Sequence, residues 1–268
     1  MGKSCLCQFR LPHALSRTVP FATNQGVRIR YEITGRGPPI VLHHGFSQSS
    51  KDWHRAAYVD ELADIHTVIL VDARGHGESD KPHDKSAYNW PVQVFDIVAV
   101  LDELKVRKAA FWGYSMGAEI GFGVAVYAPH RTSALILGGA SAHGSDIGSA
   151  FRGIDGTDPE AFLERLGART GTSFDVNART RLLQNDLRAL SAAAQDRPSL
   201  EHMLSTIDKP CFVYTGGADK DMARARESAT QIPQATFVAF ADLDHGGAFE
   251  RSEIVLPEAV RFLEQIRT

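Results

Sequence analysis

Gly113-Tyr114-Ser115-Met116-Gly117 decides the fold, because it places a serine between two glycines at a predicted change from strand to helix. The apolar run 109–112 predicts a buried strand, and residues 118–127 predict a helix. A sharp strand-to-helix turn strains its central residue, and flanking side chains would collide with the neighbouring strand and helix. Glycine removes these collisions. The pattern therefore predicts an exposed Ser115 hydroxyl at a helix start, where unpaired amides favour negative charge.

The rest of the chain alternates short apolar runs with longer periodic segments. This pattern is typical of a sheet covered by helices on both faces, and the compact apolar runs predict buried strands. The predicted strands are 28–34, 40–42, 67–71, 109–112, 134–137, 211–215 and 236–240. The predicted helices of this layer structure are 52–63, 91–105, 115–127, 223–231 and 256–266.

The alternation is interrupted once. About seventy residues between 140 and 210 have no strand pattern, but they contain helical periodicity over 159–167 and 178–194. Such a length is too great for a plain connection, so an inserted helical cap is predicted. The expected organisation is a flexible leader at 1–18, a core domain at 19–142 and 208–268, and a cap at 143–207.

Composition narrows the class of partner. The 268 residues carry a net charge of -3, with 29 basic and 32 acidic residues mixed along the chain. This balance predicts no nucleic-acid partner and no membrane partner, and leaves a small molecule as the expected ligand. The three cysteines, Cys5, Cys7 and Cys211, cannot form a disulfide framework and lack zinc-site spacing. We therefore expect a cytoplasmic protein without a metal site.

Two backbone amides are candidates for an oxyanion hole. The loop His43-His44-Gly45-Phe46-Ser47 follows the predicted strand 40–42, and its glycine lets the backbone approach a ligand. The amides of Phe46 and Met116 would together stabilise the negative oxygen of a tetrahedral intermediate. His44 is expected to brace this loop and not to act as a base.

A base and an acid are predicted from two later loops. His245 follows the last predicted strand, at the carboxyl edge where Ser115 also emerges, which suits a general base. Asp219 follows the strand 211–215 and is the favoured acid that would orient the imidazole. The competing acids are Asp221, which is expected to cap a helix, Asp242, and Asp244, which is adjacent to His245 in sequence.

These pieces together resemble the α/β-hydrolase fold superfamily, in its branch with a helical cap. The resemblance runs from about residue 20 to the end and rests on 44–46, 72–80, 113–117, 216–219 and 244–245. It implies an eight-stranded, mostly parallel sheet and a catalytic triad of Ser115, Asp219 and His245. The stretch 72–80, Asp-Ala-Arg-Gly-His-Gly-Glu-Ser-Asp, resembles a structural turn of the family, so His76 is not expected to be catalytic.

The predicted activity is a serine hydrolase that cleaves an ester or lactone of a small to medium, largely apolar substrate. No cofactor is expected. Superfamily members that open epoxides or remove halide carry an aspartate in place of Ser115 at this turn, which is called the nucleophile elbow. Ser115 therefore argues against both activities. A carbon–carbon bond hydrolase or a perhydrolase would have the same triad, and a non-catalytic small-molecule sensor remains an alternative of another class.

Substrate contacts are predicted with less support from the sequence. Trp53, Tyr114 and His143 are the candidates. Trp53 and Tyr114, with Phe46 and Met116, suggest an apolar acyl pocket of modest size near the predicted nucleophile. Most apolar cap residues are expected to pack the cap onto the core. The sequence makes no prediction of the oligomeric state.

Overall fold

One sheet of eight strands forms the centre of the molecule. The computed structural model describes residues 20–171 and 173–266, so the predicted leader at 1–18 lies outside the described residues. The strands are β1 (Phe21–Asn24), β2 (Val27–Gly35), β3 (Pro39–His43), β4 (Thr67–Val71), β5 (Ala109–Tyr114), β6 (Thr132–Gly138), β7 (Cys211–Gly216) and β8 (Ala235–Phe240).

The strand order is β1-β2-β4-β3-β5-β6-β7-β8. β2 pairs antiparallel with both β1 and β4, and every other pairing is parallel. The predicted eight-stranded, mostly parallel sheet is therefore confirmed. Because β3, β5, β7 and β8 run in the same direction, the loops after them emerge at one edge, which is where ligands bind in such sheets.

Helices cover both faces of this sheet. They are α1 (Ser50–Arg55), α2 (Tyr58–Ala63), α3 (Trp90–Glu103), α4 (Met116–Tyr127), α5 (Ile147–Ala150), α6 (Pro159–Thr170), α7 (Val176–Leu182), α8 (Leu187–Ala193), α9 (Met222–Thr230), α10 (Gly247–Glu250) and α11 (Ser252–Gln265). Short 3-10 helices lie at Lys85–Tyr88, Pro129–Arg131 and Glu201–Thr206. None of the helices in the described parts of the chain is long and apolar enough to cross a membrane.

Alternation along the strands divides the core into two apolar layers. In β3, Val41 packs in the layer that holds α3 and α4, whereas Ile40 and Leu42 pack in the layer that holds α1, α2 and α11. Successive side chains of a strand point to opposite faces, so a strand covered on both sides is apolar throughout. All these positions of β3 are 1% exposed or less, which explains why the sequence pattern here is a continuous apolar run.

The strand β1 was absent from the sequence predictions. It pairs with β2 through a two-residue turn at Gln25 and Gly26, which have φ of 50° and 78°. Two consecutive residues with positive φ form the tight hairpin turn that matches the twist of the strands it joins. β1 is short and only partly buried, so it has no apolar run to reveal it.

The prediction of one helix over 52–63 is wrong, because the chain breaks at Ala57, where φ is 60°. In a continuous helix Trp53 and Tyr58 would point about 140° apart. The break brings their rings to 5.0 Å, and both side chains are fully buried in the same layer. Packing of two large aromatic side chains on the core thus outweighs the cost of left-handed backbone at one alanine.

Four helices, α5 to α8, lie between β6 and β7. The predicted helix over 178–194 is also divided, since α7 ends at Leu182 and α8 begins at Leu187. The Asp186 side chain accepts a hydrogen bond from the Ala189 amide at 3.0 Å and so caps α8. Aspartate and asparagine compete with the helical backbone in this way and favour helix ends.

Candidate active site

Ser115 has the strained backbone that a nucleophile turn requires. Its φ is 52° and its ψ is -115°, between the last residue of β5 and the first of α4. The Ser115 amide donates to the Gly138 carbonyl of β6 at 2.8 Å, and its carbonyl accepts from the Glu119 amide at 3.0 Å. Both bonds fix the turn to regular elements, which compensates for an unfavourable conformation of a non-glycine residue.

The flanking glycines are required by space. A Cβ atom at Gly113 would lie less than 3.0 Å from the backbone of Gly117. A Cβ atom at Gly117 would lie equally close to the carbonyl oxygens of His43 and His44, which belong to the neighbouring strand and loop. The collisions expected from the sequence are therefore present at both positions, and β5, α4 and the loop after β3 approach closely at this point.

His245 joins Ser115 to Asp219 by two hydrogen bonds. The His245 Nε2 atom lies 3.1 Å from Ser115 Oγ, and its Nδ1 atom lies 2.7 Å from Asp219 Oδ2. Nδ1–H donates to the carboxylate, so Nε2 is left to accept the serine hydroxyl proton. The structure brings together the three residues predicted as a triad, from loops after β5, β7 and β8.

Asp219 is held as an ionised acceptor. Its side chain is 2% exposed. Burial alone would raise the pKa of Asp219, but the hydrogen bond and charge of His245, with donors from the Asp221 amide and the Thr215 hydroxyl, lower the pKa below its ordinary value. A carboxylate with several donors keeps its charge and can stabilise an imidazolium.

The competing acids have other positions. Asp244 accepts a hydrogen bond from the Gly247 amide at 2.7 Å, before α10. Asp221 occupies the residue before α9, as expected for a cap, but its side chain makes no capping hydrogen bond. Asp242 is in a turn with φ of 62°. The only acid with a hydrogen bond to the His245 ring among the described residues is Asp219.

The loop after β3 lies directly against Ser115. A Cβ atom at Gly45 would come to 3.4 Å from Ser115 Cβ, so glycine allows this approach. In the part of the chain that the structure describes, the amides of Phe46 and Met116 donate to no protein acceptor, and both residues line the cleft at Ser115. Free amides beside a nucleophile are suited to bind an oxyanion.

His44 braces this loop, as expected from the sequence. Its Nδ1 atom donates to the Gly45 carbonyl at 2.8 Å, and its Nε2 atom accepts from the Ala73 amide at 3.0 Å. Burial lowers the pKa of His44, which keeps the ring neutral in this arrangement. Gln48, which the sequence did not single out, accepts from the Gly45 amide at 2.9 Å and fixes the other side of the loop.

The stretch 72–80 supports the site from below. Asp72 accepts hydrogen bonds from the amides of Ser50 at 2.7 Å and Glu78 at 2.8 Å. Burial would raise the pKa of Asp72, but His44 and these donors lower it. His76 is 1% exposed, its ring lies 5.2 Å from that of His44 at an interplanar angle of 53°, and its Nδ1 atom is hydrogen-bonded to the Arg74 carbonyl. The structural role expected for this stretch agrees with these contacts.

A cleft of about 1410 Å³ opens above Ser115, between the core and α5 to α7. Tyr114 and His143, two of the three predicted substrate contacts, lie on its wall. The Tyr114 hydroxyl donates to the His245 carbonyl, and its ring lies 5.5 Å from that of His245. Burial raises the pKa of Tyr114 well above its ordinary value, so the hydroxyl stays protonated.

Trp53 does not contact the cleft, and the sequence prediction for this residue is not supported. Its side chain is fully buried and packs edge-on against Tyr58, Trp112 and Phe249, with ring centroids 5.0–5.7 Å apart. The prediction assumed that an aromatic residue close in sequence to the oxyanion loop faces the ligand. The break before α2 instead turns this face of α1 toward the core.

Two other groups near the cleft were missed by the sequence analysis. Arg197 forms an ion pair with Glu119, four residues after the nucleophile, and its guanidinium lies over the Trp90 ring. Separately, His143, Glu201 and Glu227 place donor atoms within 4.8 Å of one another, a spacing that suits a metal ion. Neither group has a local sequence motif, because its members are far apart along the chain.

Comparison with known proteins agrees with this architecture. A family model described as the alpha/beta hydrolase fold matches residues 38–175, just over half of the chain. A putative 2-succinyl-6-hydroxy-2,4-cyclohexadiene-1-carboxylate synthase of Bacillus subtilis (strain 168) is 36% identical over 124 residues, which are 45% of this chain and 43% of that protein. The chain therefore spans less than half the length of this curated relative.

Solved structures resemble the chain over more of its length. An esterase from Rhodococcus sp. ECU1013 matches with a TM-score of 0.77 and 25% identity, covering 92% of this chain and 99% of that one. An N-acyl homoserine lactone degrading enzyme matches with a TM-score of 0.74 and 27% identity, covering 90% and 99%. With the sheet order, the serine turn and the matching family model, the chain belongs to the α/β-hydrolase fold family.

Proposed function

We propose that this protein is a serine hydrolase that cleaves a carboxylic ester or lactone through an acyl-enzyme on Ser115. The observation that carries the proposal is the pair of hydrogen bonds, 3.1 Å and 2.7 Å, that joins Ser115, His245 and Asp219 in series. A hydroxyl is a weak nucleophile until a base removes its proton, and a base needs an orienting group to remain in the right tautomer.

The proposed reaction has two halves. Ser115 Oγ attacks the carbonyl carbon while His245 Nε2 takes its proton, and the amides of Phe46 and Met116 bind the resulting oxyanion. Collapse of the intermediate breaks the carbon–oxygen bond, and His245 gives its proton to the leaving alcohol. Water then attacks the acyl-enzyme, again with His245 as base, and releases the acid and the free Ser115 hydroxyl.

The cleft wall supports a substrate with an apolar acyl part. Phe46, Ile147, Leu166, Phe174 and Leu182 contribute side chains to it, next to the apolar cluster of the cap. The cleft is also lined by charged side chains, which we assign to its rim: Lys51, Arg169, Arg181, Lys220, Arg224 and Glu250. We therefore infer that the acyl group packs beneath the cap, while a polar leaving group faces the rim.

Related chemistries make different demands at the elbow. Proteins named epoxide hydrolases occur among the relatives, including one from Siraitia grosvenorii that is 31% identical over 112 residues. The family resemblance associates that reaction with an aspartate at the elbow, where this chain has Ser115. Carbon–carbon bond hydrolysis and perhydrolysis use the same triad, so they are distinguished by substrate and not by these residues.

The first prediction is that Ser115→Ala lowers turnover of p-nitrophenyl esters by roughly 10⁴-fold or more, since the variant has no nucleophile. Initial rates with p-nitrophenyl butyrate measure the loss, and circular dichroism verifies that the fold is retained. The substrate panel should also contain lactones, amides and vinylogous diketones, each assayed with the wild-type protein and with Ser115→Ala.

Three results would contradict the proposal. Unchanged ester turnover in Ser115→Ala would remove Ser115 as the nucleophile. Turnover of diketones alone would favour a carbon–carbon bond hydrolase. Saturable binding of panel members without turnover of any would indicate a sensor.

A further inference from the structure

Three side chains that the proposed mechanism does not use converge where the cap joins the core. His143 follows β6, Glu201 begins the 3-10 helix Glu201–Thr206, and Glu227 lies on α9. The His143 Nε2 atom lies 3.1 Å from Glu201 Oε1 and 3.2 Å from Glu227 Oε2. All three donor atoms lie within 4.8 Å of one another.

The two separations measured from His143 Nε2 fit a single coordination sphere. Ligand nitrogen and oxygen atoms lie about 2.0–2.2 Å from zinc, so two ligands of a tetrahedral ion are about 3.3 Å apart. The two distances from His143 Nε2 are close to this value. One imidazole and two carboxylates form a donor set that zinc accepts, with the fourth position left to water.

Neighbouring hydroxyls orient two of the three ligands. The His143 Nδ1 atom lies 3.4 Å from Ser228 Oγ, and the Ala142 amide donates to the same oxygen at 3.0 Å. A hydrogen bond from Nδ1–H to Ser228 leaves the Nε2 lone pair facing the carboxylates. Ser199 Oγ donates to the other oxygen of Glu201 at 2.9 Å, which fixes this carboxylate. Metal-binding histidines and carboxylates are commonly oriented by such partners.

An ion pair alone accounts less well for the cluster. Nε2 carries at most one proton and can direct it at only one of two carboxylate oxygens that lie at nearly equal distances. A protonated ring would still leave one negative charge in excess on the three groups. The Glu227 side chain is 60% exposed and free to turn toward solvent, but it converges on the same nitrogen as Glu201. A divalent cation balances both carboxylates and explains this convergence.

We propose that His143, Glu201 and Glu227 bind a zinc ion that joins both ends of the cap to α9 of the core. His143 stands just after β6, where the insertion starts, and Glu201 stands near its return to β7. The ion would link these two segments to the helix that follows the Asp219 turn. Its role would be structural, since the side-chain hydrogen bonds and ion pairs of the three residues in the described chain include neither Ser115 nor His245.

Zinc binding to the purified full-length chain tests this inference by calorimetry. Cys5 and Cys7 lie outside the described residues, and their thiols are potential zinc ligands, so a Cys5→Ser/Cys7→Ser protein is the parent. We expect one equivalent of zinc per chain. Glu227→Gln, which keeps the side-chain size at an exposed position, should weaken binding at least about 10-fold. Zinc should raise the thermal midpoint of the parent more than that of Glu227→Gln.

Asp186→Asn is the matched control. Asp186 also pairs with a histidine, His83, at 2.9 Å, but only one carboxylate is involved. The zinc affinity of the Asp186→Asn variant should equal that of the parent. Absence of saturable binding in the parent would overturn the inference, and so would equal affinity in the parent and Glu227→Gln. Because the readout is binding and not turnover, the result is independent of the nucleophile assigned to Ser115.

Discussion

At the scale of single residues, the chemistry depends on which acid orients His245. Asp219 and Asp244 are both near the ring in sequence or space, but only Asp219 accepts its Nδ1 hydrogen bond. Asp219 also retains its negative charge, because donors from three groups outweigh the effect of burial on its pKa. Charge and geometry therefore coincide at one of the four candidate acids.

The second prediction is that Asp219→Asn lowers kcat by roughly 10³- to 10⁴-fold. An asparagine amide can donate to Nδ1, and this would place the ring proton on Nε2, facing Ser115, where a proton acceptor is needed. Steady-state rates with an activated ester measure the effect.

Asp244→Asn serves as its control. The asparagine carbonyl can still accept from the Gly247 amide, so kcat should change less than about 3-fold. If kcat fell further in Asp244→Asn than in Asp219→Asn, the assignment of Asp219 as the acid that orients His245 would be wrong.

At the scale of elements, the site depends on three backbone segments in close approach. β5, the start of α4 and the loop after β3 meet at Gly113, Gly117 and Gly45, where any side chain would overlap or crowd another segment. The positions of Ser115 and of the Phe46 and Met116 amides proposed for the oxyanion hole are thus set by backbone packing and not by side-chain adjustment.

The third prediction is that Gly117→Ala destabilises the fold by about 3 kcal/mol or more, because its Cβ would overlap two carbonyl oxygens of the backbone. Urea unfolding followed by circular dichroism measures the change in free energy. Ester turnover should fall as well, since relief of the overlap moves the loop that carries Phe46.

Gly246→Ala is the control for stability. A Cβ at Gly246 would have its nearest neighbour at 3.7 Å, and its φ is -71°. Both variants replace glycine with alanine, so both lower the conformational entropy of the unfolded chain by a similar amount. The difference between their unfolding free energies therefore measures the cost of the overlap at Gly117. Equal unfolding free energies would refute the packing argument at Gly117.

Sequence patterns predicted the helices and strands that are buried and continuous. They failed where packing between distant residues determines the bounds of an element or the partners of a side chain. β4, β5 and α4 are mostly apolar and buried, so their sequence pattern is strong. The break at Ala57 has no local signal, because it arises from contact between Trp53 and Tyr58. The serine turn and the loop glycines were predictable from local motifs, whereas the pairs Arg197–Glu119 and His143–Glu227 unite distant segments and have no motif.

At the scale of the whole molecule, buried histidines make stability depend on pH. His43 and His76 are 1% exposed and lie beneath the oxyanion loop, close to His44. Burial, with the neighbouring His44, lowers the pKa of His43 well below its ordinary value and that of His76 to about 3. The folded protein therefore keeps both rings neutral at a pH where the unfolded chain protonates them.

The fourth prediction is a loss of stability as the pH falls below about 6.5. The unfolded chain then binds protons that the folded protein does not, so each of these two histidines costs about 1.4 kcal/mol between about pH 7.5 and about pH 5.5. Urea unfolding at the two pH values should show a loss of at least about 3 kcal/mol, because His44, whose pKa burial also lowers, adds to the contribution of these two residues. Ordinary carboxylates remain ionised over this range and contribute little.

His76→Asn separates this effect from general acid sensitivity. An asparagine amide can replace the Nδ1 donor to the Arg74 carbonyl, which accepts at 3.0 Å, but it does not titrate. The loss between the two pH values should therefore be smaller by about 1.4 kcal/mol than in the unmodified protein. An undiminished loss in this variant would place the pH dependence elsewhere.

The helical insertion between β6 and β7 is attached in a way that lets it vary in evolution independently of the sheet. β6 and β7 are adjacent, parallel and in register from Leu135 with Cys211 to Gly138 with Tyr214, and the whole insertion leaves one strand and returns to the next. A segment attached in this way can be shortened, extended or exchanged without moving either strand. The insertion can therefore vary through changes in one stretch of the gene, while the stretches that encode Ser115, Asp219 and His245 stay as they are.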